Sequence, residues 1–118
     1  MALKIDERMV GDVVIMSVKG EIDLYNAPDV KDMISDYIED DKVKLVMNLE
    51  QLSFIDSSGI GALISSLSNL QKENGALKLV NMHGSVRKVF DLTKLTGFFG
   101  VYDSEEEAVN SFNQNREN

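Results

Sequence analysis

Short apolar runs that read as strands alternate along this chain with apolar stripes at helical spacing, and that alternation limits what it can fold into. Leu3-Lys4-Ile5-Asp6-Glu7-Arg8-Met9-Val10 alternates apolar and polar residues, and Gly11-Asp12 separates it from Val13–Val18, so two strands joined by a tight turn are predicted. Beyond Gly20-Glu21-Ile22-Asp23, Asn26 stands ahead of Ala27-Pro28 as an N-cap signal, opening a helix whose stripe is Val30, Met33, Ile34, Tyr37 and Ile38. That helix ends near Glu39–Lys42. The run Val43–Leu49 is apolar on both faces around Val46, the pattern of a central strand covered by helices. A second helix carries Ile60, Leu63, Ile64, Leu67 and Leu70 and stops at Asn74-Gly75, where glycine accepts the left-handed conformation. Leu77–Met82 reads as a strand, and Gly84-Ser85 opens a third helix with Val86, Val89, Phe90 and Thr93 on one face. A strand at Phe98–Tyr102 then leads to a capping box, Ser104 with Glu107, and a last helix that turns Ala108, Val109 and Phe112 inward. Phe54, Phe90, Phe98 and Phe112 all fall at inward spacings and read as packing, not as a stacking platform.

Strands alternating with helices predict an α/β fold, a single domain with a mostly parallel sheet of about five strands packed with about four helices, the N-terminal hairpin adding an antiparallel pair. At 118 residues the domain needs neither disulfide nor metal to hold its core; it spans residues 1–112, with a polar tail at 113–118. The absence of cysteine removes thiolate chemistry, and a single histidine excludes a multi-histidine metal site, so no metal and no cofactor are expected. Neither a membrane-length apolar run nor a signal-peptide pattern is present, and the expected location is the reducing cytoplasm. The net charge of -8 repels phosphate backbones and anionic lipid surfaces, which argues against nucleic acid and membrane as partners.

The segment Leu52-Ser53-Phe54-Ile55-Asp56-Ser57-Ser58-Gly59-Ile60-Gly61-Ala62-Leu63 places two hydroxyls where an apolar strand gives way to the second helix. The helix starts close to Ser57, whose hydroxyl can cap it, and the unpaired N–H groups and positive potential of such a terminus also suit a phosphate. An exposed serine at such a turn invites a hydrolase reading, but the G-x-S-x-G elbow is absent and the only base, His83, has no evident carboxylate to orient it. His83 reads as a loop residue. Gly59-Ile60-Gly61 lacks the following Gly-Lys-Ser/Thr of a Walker loop, leaving at most weak nucleotide contact; close helix packing or a partner's backbone equally explains these glycines. No enzyme mechanism survives.

Four stretches in register over nearly the whole length carry a family resemblance: Val18–Asp23, Asn48–Gly61, Val86–Leu92 and Ser104–Ala108. With them the chain resembles the bacterial anti-sigma-factor antagonists, stand-alone STAS domains phosphorylated on a serine by an anti-sigma factor that is itself a kinase. The resemblance implies a STAS-like fold and maps the modified hydroxyl onto Ser57, with Ser58 as the fallback phosphosite. Asp56 occupies the acidic position of the motif, either orienting the serine during transfer or capping the helix and satisfying loop amides. It further implies a partner switch. The unphosphorylated chain binds the anti-sigma factor and frees the sigma factor, phosphorylation abolishes that binding, and a serine phosphatase restores the hydroxyl.

The docking surface is expected on the exposed side of the second helix, where Gly61, Ala62, Ser65, Ser66 and Asn69 fall away from the apolar stripe, and the motif residues Asp56, Ser58 and Gly59 belong to the same partner-binding set. The loop Asp23–Asn26 adds to it. The alternative is a STAS domain serving as a structural or regulatory subunit of another assembly, such as a stressosome-like particle or a lipid-transport complex.

Overall fold

Alternation and turn chemistry produce the opening hairpin as predicted. β1 (Lys4–Val10) and β2 (Val13–Ile22) pair antiparallel with Val10 opposite Val13, and Gly11 takes φ +61° in the two-residue turn. The computed structural model describes residues 3–114. There follow α1 (Ala27–Glu39), β3 (Lys44–Ile55), α2 (Ser57–Lys72), β4 (Ala76–Val80), α3 (Gly84–Leu92), a short 3-10 turn (Leu95–Gly97), β5 (Gly100–Tyr102) and α4 (Glu105–Gln114). The five strands lie in sequence order, with every pair after the first hairpin parallel.

Each parallel connection steps one strand further in the same direction, and right-handed crossovers of that kind leave α1, α2 and α3 on one face of the sheet. One core joins Ile34, Leu63 and Phe90 of those helices to Met16, Leu45, Met47 and Leu79 of the strands. The last helix, α4, crosses to the opposite face, where Ala108 and Phe112 cover Val13, Ile15, Val46 and Val80. Val46 and Met47 are therefore both fully buried on opposite faces, as expected for a central strand. Lys78 lies on the α4 side as well, and is buried. Its Nζ donates to Ser111 Oγ at 2.6 Å and sits 4.3 Å from the centre of the Phe112 ring, a cation held by a hydroxyl and an aromatic face.

Several expectations about local structure are corrected. The second and third strands run longer than Val18 and Leu49, because β2 and β3 continue as a parallel pair to Ile22 and Ile55. Register shifts between Ser17 and Lys19 and between Gly20 and Glu21 break the period of two, so the extension has no alternating signature. Phe54 lies on this irregular stretch and is 43% exposed instead of inward. Phe98 is 47% exposed and precedes the last strand; Phe99 goes inward, with its ring 5.7 Å from Phe90 in an edge-on contact. At the end of α2 the left-handed residue is Asn74, with φ +61°, whereas Gly75 is needed because a Cβ there would meet the Val43 backbone carbonyl. Asn26 precedes α1 without capping it: its side chain accepts from Asp23 N–H and donates to the Glu21 carbonyl. The capping box of α4 forms, with Glu107 N–H donating to Ser104 Oγ, although Glu107 reaches back to Asp103 N–H. Asn113 and Gln114, assigned to the tail, continue α4, and residues 115–118 lie outside the described residues.

Candidate functional site

The extended pairing of β2 with β3 builds the site. Because Ile22 pairs with Ile55 in a parallel ladder, the loop that follows β2 and the junction that follows β3 emerge side by side at the carboxyl edge of the sheet. Asp56 is the node between them. Its N–H donates to the Ile22 carbonyl at 3.1 Å, its Oδ1 accepts from Gly59 N–H at 2.9 Å, and its Oδ2 accepts from Leu24 N–H at 3.1 Å.

Asp56 is thus the N-cap of α2, in extended backbone geometry, and Ser57 is the first helical residue. The expectation that Ser57 caps the helix is corrected, and of the two roles considered for Asp56 the cap and the loop-amide contacts are present. With the capping task taken by the carboxylate, Ser57 is exposed at the positive end of the helix dipole. Lys72 in the last turn complements the opposite end.

Gly59 is buried against the ends of both strands. A Cβ there would lie 2.6 Å from Ile55 Cγ1 and 2.7 Å from Ile22 Cγ2, so close packing accounts for it. Gly61 is exposed with open space around its Cα. Between α1 and α2 runs an open groove of about 330 Å³, mostly apolar, walled on the α2 side by Ser58, Gly61, Ala62 and Ser65 and on the other by Leu24 and Pro28.

Of the residues expected on the exposed side of α2, Gly61 is exposed and Ser65 and Asn69 are half-buried. Two are corrected. Ala62 is buried and forms part of the groove wall, and Ser66 is 2% exposed, with its Oγ unpartnered among the described residues. Both sit on the side of α2 that faces the protein interior, a consequence of how close α1 packs, which an apolar stripe alone does not reveal.

The loop Asp23–Asn26 is braced internally. Asp23 Oδ1 accepts from Tyr25 N–H at 3.0 Å and Asn26 N–H at 3.2 Å, an Asx turn that presents Leu24 and Tyr25 to solvent, 63% and 88% exposed. The loop expected at the docking surface thus exposes two bulky side chains that the sequence reading did not single out. The signal for them is a pair of bulky apolar residues inside a polar turn pattern. His83 is exposed at the start of α3, where its Nε2 meets the Glu50 carbonyl, and Ser85 Oγ donates to the Ser53 carbonyl at 3.2 Å.

An open, mostly parallel sheet with three helices on one face, and an acid-capped helix presenting a serine at its carboxyl edge, is the arrangement of a STAS domain; that family matches residues 4–108, and the chain belongs to it. Several relatives are named anti-sigma factor antagonists. The anti-sigma-B factor antagonist of Bacillus subtilis (strain 168) is 27% identical over 109 residues, covering 92% of this chain and 99% of the relative. The crystal structure of an anti-sigma factor antagonist from Mycobacterium paratuberculosis matches with a TM-score of 0.83 at 27% identity, covering 93% of each chain. The anti-sigma factor antagonist SpoIIAA in its unphosphorylated form matches at 0.73 and 28% identity, over 93% of this chain and 98% of that one. The Bacillus cell fate determinant SpoIIAA in its phosphorylated form matches at 0.71 and 29%, over 92% and 99%.

Proposed function

We propose that this chain is an anti-sigma-factor antagonist switched by phosphorylation of Ser57. The observation that carries the reading is an exposed hydroxyl at the first residue of α2, next in sequence to Ser58 of an apolar groove, in a STAS domain with relatives named as such antagonists. In the unphosphorylated state the groove and the exposed Leu24 and Tyr25 receive the anti-sigma factor, which then releases its sigma factor. The chain is a binding protein and a substrate, and the kinase activity belongs to the anti-sigma factor.

In the transfer step Ser57 Oγ attacks the γ-phosphorus of ATP, the bond from that phosphorus to the bridging oxygen of ADP breaks, and the serine proton passes to a base of the kinase. The phosphoserine that forms carries about -1.5 to -2 charges. An interface closing over it beside Asp56 must desolvate both, and at an effective dielectric of about 20 a close like-charge contact costs a few kcal/mol, or roughly 100-fold in affinity. The free chain tolerates the same group, because it sits at a helix N-terminus. A phosphatase acting on serine phosphate completes the cycle and returns the binding form.

The test uses the anti-sigma factor encoded in the same genome, with ATP, followed by mass mapping of the phosphate. Phosphate is expected on Ser57. Ser57→Ala should bind as the wild type does and take up no phosphate there, whereas Ser57→Asp should bind about tenfold or more weakly. Equal affinity of the two variants, or phosphate on Ser58 alone, contradicts the assignment.

A further inference from the structure

Both oxygens of one carboxylate are in use at this site, and they hold different elements. Asp56 Oδ1 caps α2 through Gly59 N–H, while Oδ2 takes the Leu24 N–H, 32 residues away in sequence. The Asx turn at Asp23 and the Asn26 side chain shape the loop internally, but neither ties it to α2. Among side chains, the Asp56 carboxylate makes that tie.

We propose that Asp56 is a positioning residue, a two-toothed latch that fixes the apolar rim at Leu24 against α2 and is released by the phosphoryl group on the adjacent Ser57. This deepens the switch described above and rests on that reading. Leu24 forms one wall of the groove whose other wall is Ser58, Gly61 and Ser65, so the angle of the loop sets the width of the groove. A phosphate on Ser57 brings three acceptor oxygens to the same N-terminal N–H groups and a second negative charge beside the carboxylate. The carboxylate that turns away from it keeps at most one of its two donors. The partner then meets the modification twice, as a charge on α2 and as a displaced apolar rim.

The latch is tested on the free chain by amide hydrogen exchange, read residue by residue. Asp56→Ser retains a cap for α2 but is too short to reach Leu24, and Asp56→Asn has one acceptor oxygen for two donors. In Asp56→Ser, exchange at Leu24 should rise about tenfold while Gly59 stays within about twofold and the melting temperature holds, since a single exposed tie is lost and the cap is not. The phosphorylated wild type should show the same rise at Leu24, which needs no variant to fold. Anti-sigma binding by Asp56→Ser should fall about tenfold despite an intact Ser57.

Unchanged exchange at Leu24 in both Asp56→Ser and the phosphorylated chain overturns the latch, as does full binding by a variant whose Leu24 amide has been released. The two readings fail separately. Ser57-dependent binding with an unmoved Leu24 refutes only the latch; a released Leu24 in a chain that binds no anti-sigma factor refutes only the function.

Discussion

Two glycines of α2, two positions apart, face opposite constraints. Adding a methyl at Gly59 drives it into Ile55 and Ile22 at the roots of both site loops, and overpacking of this kind costs about 1–3 kcal/mol against a gain of at most about 1 from better helix propensity. Gly59→Ala should therefore lower the urea midpoint. Gly61 has open space around it, so Gly61→Ala should leave stability unchanged or raise it by up to about 1 kcal/mol. Because Gly61 lines the groove, that same variant should weaken anti-sigma binding, measured by titration calorimetry. A Gly61→Ala chain that binds as tightly as wild type would show that the groove is not the docking surface. The motif made both glycines legible; which of them serves packing and which serves access depended on the ends of two strands meeting beneath one of them.

At the level of the element, α2 has its apolar stripe where the periodicity put it, with Leu63, Leu67 and Leu70 buried, but its polar side is not uniformly exposed. Ser66 shows the difference. A buried hydroxyl without a partner is a cost, and alanine is both apolar and a better helix former, so Ser66→Ala should stabilise the chain by about 1 kcal/mol. Anti-sigma binding should not change, because a side chain this buried cannot touch a partner. Denaturant unfolding checks the first expectation and calorimetric titration the second. The strand extension had a similar fate in the sequence: Glu50-Gln51-Leu52-Ser53-Phe54-Ile55 mixes polarities because bulges let the strand change its facing, so a test for alternation stops at Leu49.

Across the whole molecule, the layers are joined by a few long-range polar ties. Tyr37 of α1 donates its hydroxyl to Glu7 of β1 at 2.8 Å, binding a helix of the main face to the edge strand. Burial, then the hydrogen bond to Glu7 and its charge, raise the Tyr37 phenol well above the ordinary tyrosine value. The folded state therefore favours the neutral phenol. Its contribution to stability is complete below about pH 10, where the unfolded tyrosine begins to ionise, and is lost as pH rises through the higher folded value. The unfolding midpoint of wild type should fall more steeply with alkaline pH than that of Tyr37→Phe, and an ultraviolet titration should find a phenol ionising above the ordinary tyrosine range that is missing from Tyr37→Phe. On the other face, Asn48 Nδ2 donates to Glu105 at 2.7 Å and Arg8 pairs with the same carboxylate, so the start of α4 is held by β1 and β3 together.

The sequence by itself determined the order of elements, the buried stripe of the helices apart from Thr93, which lies exposed just beyond α3, the mostly parallel character of the sheet and the placing of Ser57 at a strand-to-helix junction. All of these follow from local periodicity, turn residues and a contiguous motif. Only the tertiary structure decided that Asp56 caps α2 and holds Leu24, that Ser66 is inside and Gly61 outside, and that Leu24 walls a groove beside the serine while Tyr25 stands exposed next to it. The physical reason is the parallel pairing of Ile22 with Ile55: contacts between segments some 32 residues apart are set by register and packing, which no short window of residues contains.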